Sequence, residues 1–110
     1  MGRTLASAII AAHSIEGARE GEICKVNVDF AFANDITAPP AIVSFKEMGA
    51  EKVFDKERCA VLPDHFTPNK DIASAEQTKK GREFALSQGM LYWEVGRVGI
   101  EHAFLPEKGY

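Results

Sequence analysis

Asp64 and His65 follow directly on the apolar run Val61-Leu62, where Pro63 breaks the chain. An acid beside a histidine makes an orienter and a proton carrier: the carboxylate fixes the imidazole tautomer and raises its pKa towards neutrality. The same dipeptide also serves as a turn that caps a strand, so both roles stay open on these residues alone. His102, in Gly99-Ile100-Glu101-His102, is a second histidine able to reach the same edge, or else a satisfied histidine on a strand or turn. Asn34, Asp35 and Thr37 form a third polar group, which either binds a ligand or caps the helix that follows. His13 reads as a C-terminal helix cap. Asp64, His65 and His102 match no simple zinc spacing, and the glycines from Gly96 to Gly99 make no phosphate loop.

The elements that must position these groups are legible from period. Thr4 caps a helix carrying Leu5, Ala8, Ile9 and Ala12, which ends near His13-Ser14. From Ile23 to Ala33 the period changes to two, with Cys24, Val26, Val28, Phe30 and Phe32 on one side, which predicts a strand running out at Asn34-Asp35. A helix restarts over Thr37 to Pro40, with Ile42, Phe45 and Met48 on its apolar side and Gly49 as its stop. Lys52-Val53-Phe54 predicts a short strand, Asp55 to Arg58 a charged turn, and Cys59 to Leu62 a compact apolar strand that delivers Asp64-His65. Asp71 caps the longest helix, Ile72 to Ser87, with Ala75, Phe84 and Ala85 facing the core and Gly89 closing it. Met90 to Glu94 predicts a further strand, and Ile100-Glu101-His102 opens the last segment after a flexible, glycine-flanked connection.

The order strand, helix, strand, strand, helix, strand predicts an α/β fold with a mostly parallel sheet. All three polar groups fall where strands end, and in open α/β sheets ligands gather outside the carboxyl ends of strands.

A chain of 110 residues is one small domain, or a piece of a larger one. Its formal charge of -3 argues against nucleic acid or an anionic membrane as partner, and no apolar run reaches bilayer length. The N-terminal stretch holds no signal-peptide core, and Cys24 and Cys59 match neither a metal spacing nor a disulfide framework. Buried free thiols in a reducing cytoplasm are the expectation.

Five motifs in one order carry a resemblance: Asn34-Asp35-Ile36-Thr37-Ala38-Pro39, Gly49-Ala50-Glu51-Lys52-Val53-Phe54-Asp55, Pro63-Asp64-His65-Phe66, Gly99-Ile100-Glu101-His102 and Leu105-Pro106-Glu107-Lys108-Gly109. With them the chain, from Gly2 to Tyr110, resembles the N-terminal part of the large subunits of the aconitase family that act on isopropylmalate or homoaconitate. Pro39-Pro40 and Val98 depart from the family pattern without removing a chemical group. The resemblance implies a three-layer aconitase-like N-terminal domain fragment, with residues 1–110 a single partial domain. It implies part of a hydro-lyase that moves a hydroxyl between adjacent carbons of a small di- or tricarboxylic acid, in leucine or lysine biosynthesis. Such enzymes use a [4Fe-4S] cluster, with one iron acting as a Lewis acid on the substrate hydroxyl.

By that resemblance His65 protonates the departing hydroxyl with Asp64 as its partner, and His102 sits near the cluster-bound oxygen. Asn34 contacts a substrate carboxylate, while Asp35 and Thr37 shape its loop. The cluster ligands, an Asp-Ser-His-Thr motif and a serine base are expected outside this chain, in the remainder of the large subunit and a small swivel-domain subunit. Cys24 and Cys59 match none of the ligands. The competing expectation is a stand-alone α/β module that binds a small carboxylate or a protein partner without catalysis.

Overall fold

All four residues of Cys59–Leu62 are buried, and they form β2, the central strand of the sheet. The computed structural model describes residues 2–110. In chain order the elements are α1 (Leu5–His13), β1 (Ala31–Asn34), α2 (Ala38–Glu47), a 3-10 turn (Lys56–Arg58), β2 (Cys59–Leu62), α3 (Ile72–Gln88), β3 (Leu91–Tyr92) and α4 (Glu101–Lys108). The sheet order is β1-β2-β3 and both pairings are parallel, with Asn34 opposite Leu62 and Val61 opposite Tyr92. Parallel neighbours need crossovers, and α2 and α3 supply the two.

Successive residues of a strand face opposite sides, so β2 feeds two separate cores. Val61 packs with Ala38 and Ala85 beneath α2 and α3. Ala60 and Leu62 pack with Leu105 of α4, bordered by Phe30, Leu91, Trp93, Val98 and Phe104. The result is helices on both faces of a parallel sheet, the α/β arrangement expected.

Helix α3 begins with a capping box, in which the Asp71 carboxylate accepts from the Ser74 N–H at 2.8 Å, and it ends at Gly89 in the left-handed conformation. Its buried stripe is Ser74, Thr78, Gly81 and Ala85; Ala75, expected inside, is exposed, and Phe84 is only half-buried. Small residues let α3 lie close to the sheet: a Cβ at Gly81 would stand 3.1 Å from Val61 Cγ1.

Several expected elements differ. The strand expected over Ile23 to Ala33 is confined to Ala31–Asn34, because among the described residues no neighbouring strand pairs the earlier part; Val26 makes one isolated bridge to Ser14, and Ile23 and Val28 are exposed. Lys52-Val53-Phe54 is not a strand, since the Gln88 side chain takes over the pairing: Oε1 accepts from Val53 N at 3.0 Å and Nε2 donates to Glu51 O at 3.0 Å. The strand expected over Met90 to Glu94 shortens to two residues, as Glu94 turns to Arg82 in a bidentate pair of 2.8 and 2.7 Å. Met48, expected on the apolar side of α2, is exposed. The last segment, for which the sequence indicates no element type, is a helix, with Glu101 and His102 in its first turn.

The buried apolar set is small, Ala38, Cys59, Ala60, Val61, Leu62, Ala85 and Leu105, while Leu5, Ile23, Val28, Phe54, Ile72 and Ile100 are all more than half exposed. The accessible surface of 7949 Å² for 12.0 kDa exceeds the roughly 6,000 Å² of a folded monomer of that mass. The radius of gyration, 16.2 Å, likewise exceeds the roughly 13 Å of a compact domain of this length. Apolar surface left uncovered on this scale drives association. The isolated chain is expected to self-associate or to melt at low temperature. Sedimentation velocity across a dilution series and thermal melting check this; a monomer with a sharp, concentration-independent melt would contradict it.

Candidate active site at the strand ends

Parallel pairing with Asn34 opposite Leu62 carries the ends of β1 and β2 to one edge, so Asn34-Asp35 and Asp64-His65 leave the sheet side by side. Beyond the last ladder bond their backbone groups need other partners, and buried side chains supply them. Asp35 is 1% exposed; its Oδ1 accepts from His65 N at 3.0 Å and its Oδ2 from Phe66 N at 2.6 Å. Asn34 Oδ1 accepts from the backbone of Ile36 and Thr37, each at 2.9 Å, and from Thr37 Oγ1 at 3.1 Å. Thr37 Oγ1 in turn accepts from Asn34 N at 3.0 Å. Thr37 also stands at the N-cap of α2, although without a side-chain cap bond. The loop after His65 is held by Asn69, whose Nδ2 donates to Phe66 O at 2.8 Å and to Thr78 Oγ1 of α3 at 3.0 Å.

The third contributor is α4. Its first residue, Glu101, donates its backbone N–H to Asp64 Oδ2 at 2.7 Å, and its carboxylate Oε1 accepts from Asn34 Nδ2 at 3.2 Å. Glu101 is 4% exposed, yet its Oε2 is buried without a hydrogen-bond partner. His102 Nε2 lies 3.4 Å from Glu101 Oε1, and its ring sets edge-on to Phe32, with centroids 5.9 Å apart.

The Asp64 carboxylate is buried and faces His65 Nδ1 at 2.5 Å, while the imidazole is 43% exposed. This bond fixes the proton on Nδ1 in the neutral ring and leaves Nε2 for a ligand. The hydrogen bond to Asp64 raises the His65 pKa above 6.5, partial burial opposes it, and the charges of Asp64, Glu101 and Asp35 add to the rise. A histidine whose protonated form is favoured, held at one nitrogen and open at the other, has the arrangement that general acid chemistry requires.

All six residues singled out by sequence therefore meet at one edge: Asp64, His65 and His102, with Asn34, Asp35 and Thr37. Only His65 and His102 among them present exposed ring atoms to a ligand; Asn34 and Asp35 are buried and spend their polar atoms on the scaffold. Glu101 was missed. It was visible as an acid before His102, but its burial depends on α4 docking, which no local pattern reports. His13, far along the chain, does cap its helix, with Nδ1 at 2.8 Å from Ile9 O, and also pairs with Asp29.

Donor atoms of Asp35, Asp64 and His65 lie within 4.8 Å of one another, but they are already bonded to each other or to backbone N–H groups. An iron–sulfur cluster requires thiolates, and this chain's cysteines do not fit one. Cys59 opens β2 at its opposite end, about 10 Å from the site by strand rise, and burial pushes its thiol pKa up. Cys24 lies in the irregular segment before β1; both are free thiols.

No family model matches the chain. Among curated proteins it is similar to the 3-isopropylmalate dehydratase large subunit of Moorella thermoacetica, with 53% identity over 111 residues. It is also similar to that of Thermodesulfovibrio yellowstonii, with 56% over 113 residues, and to large subunit 1 of Pyrococcus abyssi, with 53% over 111 residues. Each alignment takes in 99% of this chain and 26% of the relative, so the chain spans about a quarter of the length of the proteins it matches.

Two measurements check the geometry. Asp35→Ala strands two backbone N–H groups and is expected to cost about 2–4 kcal/mol, read as a lower urea midpoint at unchanged m. A histidine pKa raised by folding stabilises the fold fully below its unfolded value of 6.5 and loses that contribution as pH rises through the raised value. Asp64→Asn should lower the His65 titration midpoint seen by NMR and flatten the decline of stability above pH 6.5; an unmoved midpoint would refute the pairing.

Proposed function

We propose that this chain, homologous over nearly its whole length to part of the 3-isopropylmalate dehydratase large subunit, contributes the acid–base half of that enzyme's active site. The observation that carries the proposal is the oriented Asp64–His65 pair at the carboxyl end of a parallel strand. The reaction is the conversion of 2-isopropylmalate to 3-isopropylmalate by dehydration and rehydration, a step of cytoplasmic leucine biosynthesis; the homoaconitate equivalent uses the same chemistry. No helix among the described residues is long and apolar enough to cross a membrane.

In the dehydration direction the C–O bond of a 2-hydroxy acid breaks while a base outside this chain removes the proton from the adjacent carbon. Hydroxide is a poor leaving group, and His65 gives it the proton it needs to depart as water. Asp64 holds the ring through Nδ1, so the proton travels through Nε2 without the ring rotating. Rehydration at the neighbouring carbon returns the proton along the same path. His102, 76% exposed in the first turn of α4, borders the same space and orients the substrate oxygen. Asn34, Asp35 and Thr37 shape the substrate-side loop, which their internal bonds keep rigid.

The complete enzyme holds a [4Fe-4S] cluster on ligands outside this chain, and a small subunit completes the site. The donor set supports that division, because Cys59 opens β2 at the end opposite the site and Cys24 lines a hollow with Ser7, Ile10 and Ala11 of α1.

In the enzyme completed by the remaining parts, His65→Asn is expected to lower kcat by about 100-fold or more, with a smaller change in KM. Undiminished turnover would overturn the assignment. Anaerobic treatment of the isolated chain with ferrous iron and sulfide should give no stoichiometric cluster absorbance; a cluster bound one-to-one would show that its ligands are here after all.

A further inference from the structure

We propose that Glu101 is a positioning residue for the Asp64–His65 pair: its backbone N–H and side chain tie both strand ends to α4, and its negative charge acts on the imidazole. Three bonds and contacts converge on this one residue. The N–H holds Asp64 Oδ2 at 2.7 Å, Oε1 holds Asn34 Nδ2 at 3.2 Å, and His102 Nε2 stands 3.4 Å from the same oxygen. A merely structural hub needs only the N–H and one acceptor oxygen, both of which a glutamine would provide.

The second oxygen is what a structural role leaves unexplained. Oε2 is buried and has no partner among the described residues, and a buried polar atom left unbonded costs the fold stability. A charge kept at such a cost is understandable where a nearby cation uses it. From α4 the charge of Glu101 adds to those of Asp64, the residue before His65, and Asp35, just past β1, in favouring the protonated imidazole of His65. His102 is the other imidazole facing Glu101, and it is exposed.

The catalytic meaning of this inference rests on the function proposed above, but its test does not use turnover. The probe is the proton itself, followed by NMR at the His65 and His102 rings and at the Asn34 side-chain amide of the 110-residue chain. Glu101→Gln keeps an acceptor for Asn34 and removes the charge. It is expected to leave Asn34 amide exchange and the thermal melt close to those of the parent, while lowering the His65 midpoint. Glu101→Ala is expected to lower the same midpoint and also speed Asn34 amide exchange several-fold. A Glu101→Gln chain that folds and titrates at His65 like the parent would overturn the proposal and leave Glu101 a structural tie alone. Loss of turnover in His65→Asn with no response at residue 101 would spare the functional assignment and sink only this one.

Discussion

The hydrogen bonds from His65 N and Phe66 N to the buried Asp35 carboxylate hold the site together. Parallel strands that stop in register, here at Asn34 and Leu62, leave the next backbone groups of both chains without ladder partners. One strand answers with a carboxylate that accepts from the other's backbone. This fixes the direction in which the chain departs after Pro63, and with it the imidazole of His65. Asp64 and Asn34 extend the same device to α4 through Glu101. The polar residues at this edge are therefore first of all the means by which three chain segments are joined where the sheet ends. The two exposed histidines, His65 and His102, are mounted on that joint.

Strand direction also separates the chemistry. At the beginning of β2, Cys59 lies in apolar surroundings that favour the neutral thiol. At its end, buried carboxylates favour the protonated imidazole of His65. The thiol at the start of β2 and the imidazole just past its end thus have opposite environments, the first favouring the neutral form and the second the charged one.

What sequence could deliver follows the range of the physics behind each feature. Helices α1, α2 and α3 were legible because caps and stops such as Thr4, Asp71, Gly49 and Gly89 act locally. The compact run Cys59–Leu62 was legible because a strand buried on both faces has nowhere polar to look. The alternation from Ile23 to Phe30 misled for the opposite reason: a strand is stabilised by its neighbour, and among the described residues this stretch has only the isolated bridge from Val26 to Ser14. Lys52 to Phe54 failed similarly, with Gln88 bonding the backbone that a strand would have paired. The convergence of Asn34, Asp35, Asp64 and His65 followed from parallel order alone, whereas the burial of Glu101 required α4 to be docked against Phe30, Leu62 and Trp93, a tertiary fact.

The uncovered surface and the developed site bear on each other. Phe32 lies on β1, an edge strand, remains 42% exposed, and carries His102 against its ring. The side of the site beyond it is therefore open, and the two exposed imidazoles border open space rather than a closed cavity. A proton donor working on a poor leaving group needs water excluded and field lines concentrated, which an open edge cannot supply. The chain aligns with about a quarter of each relative. The buried carboxylates hold this edge from within, through backbone N–H groups and the first turn of α4, and so keep its geometry without cover from the open side.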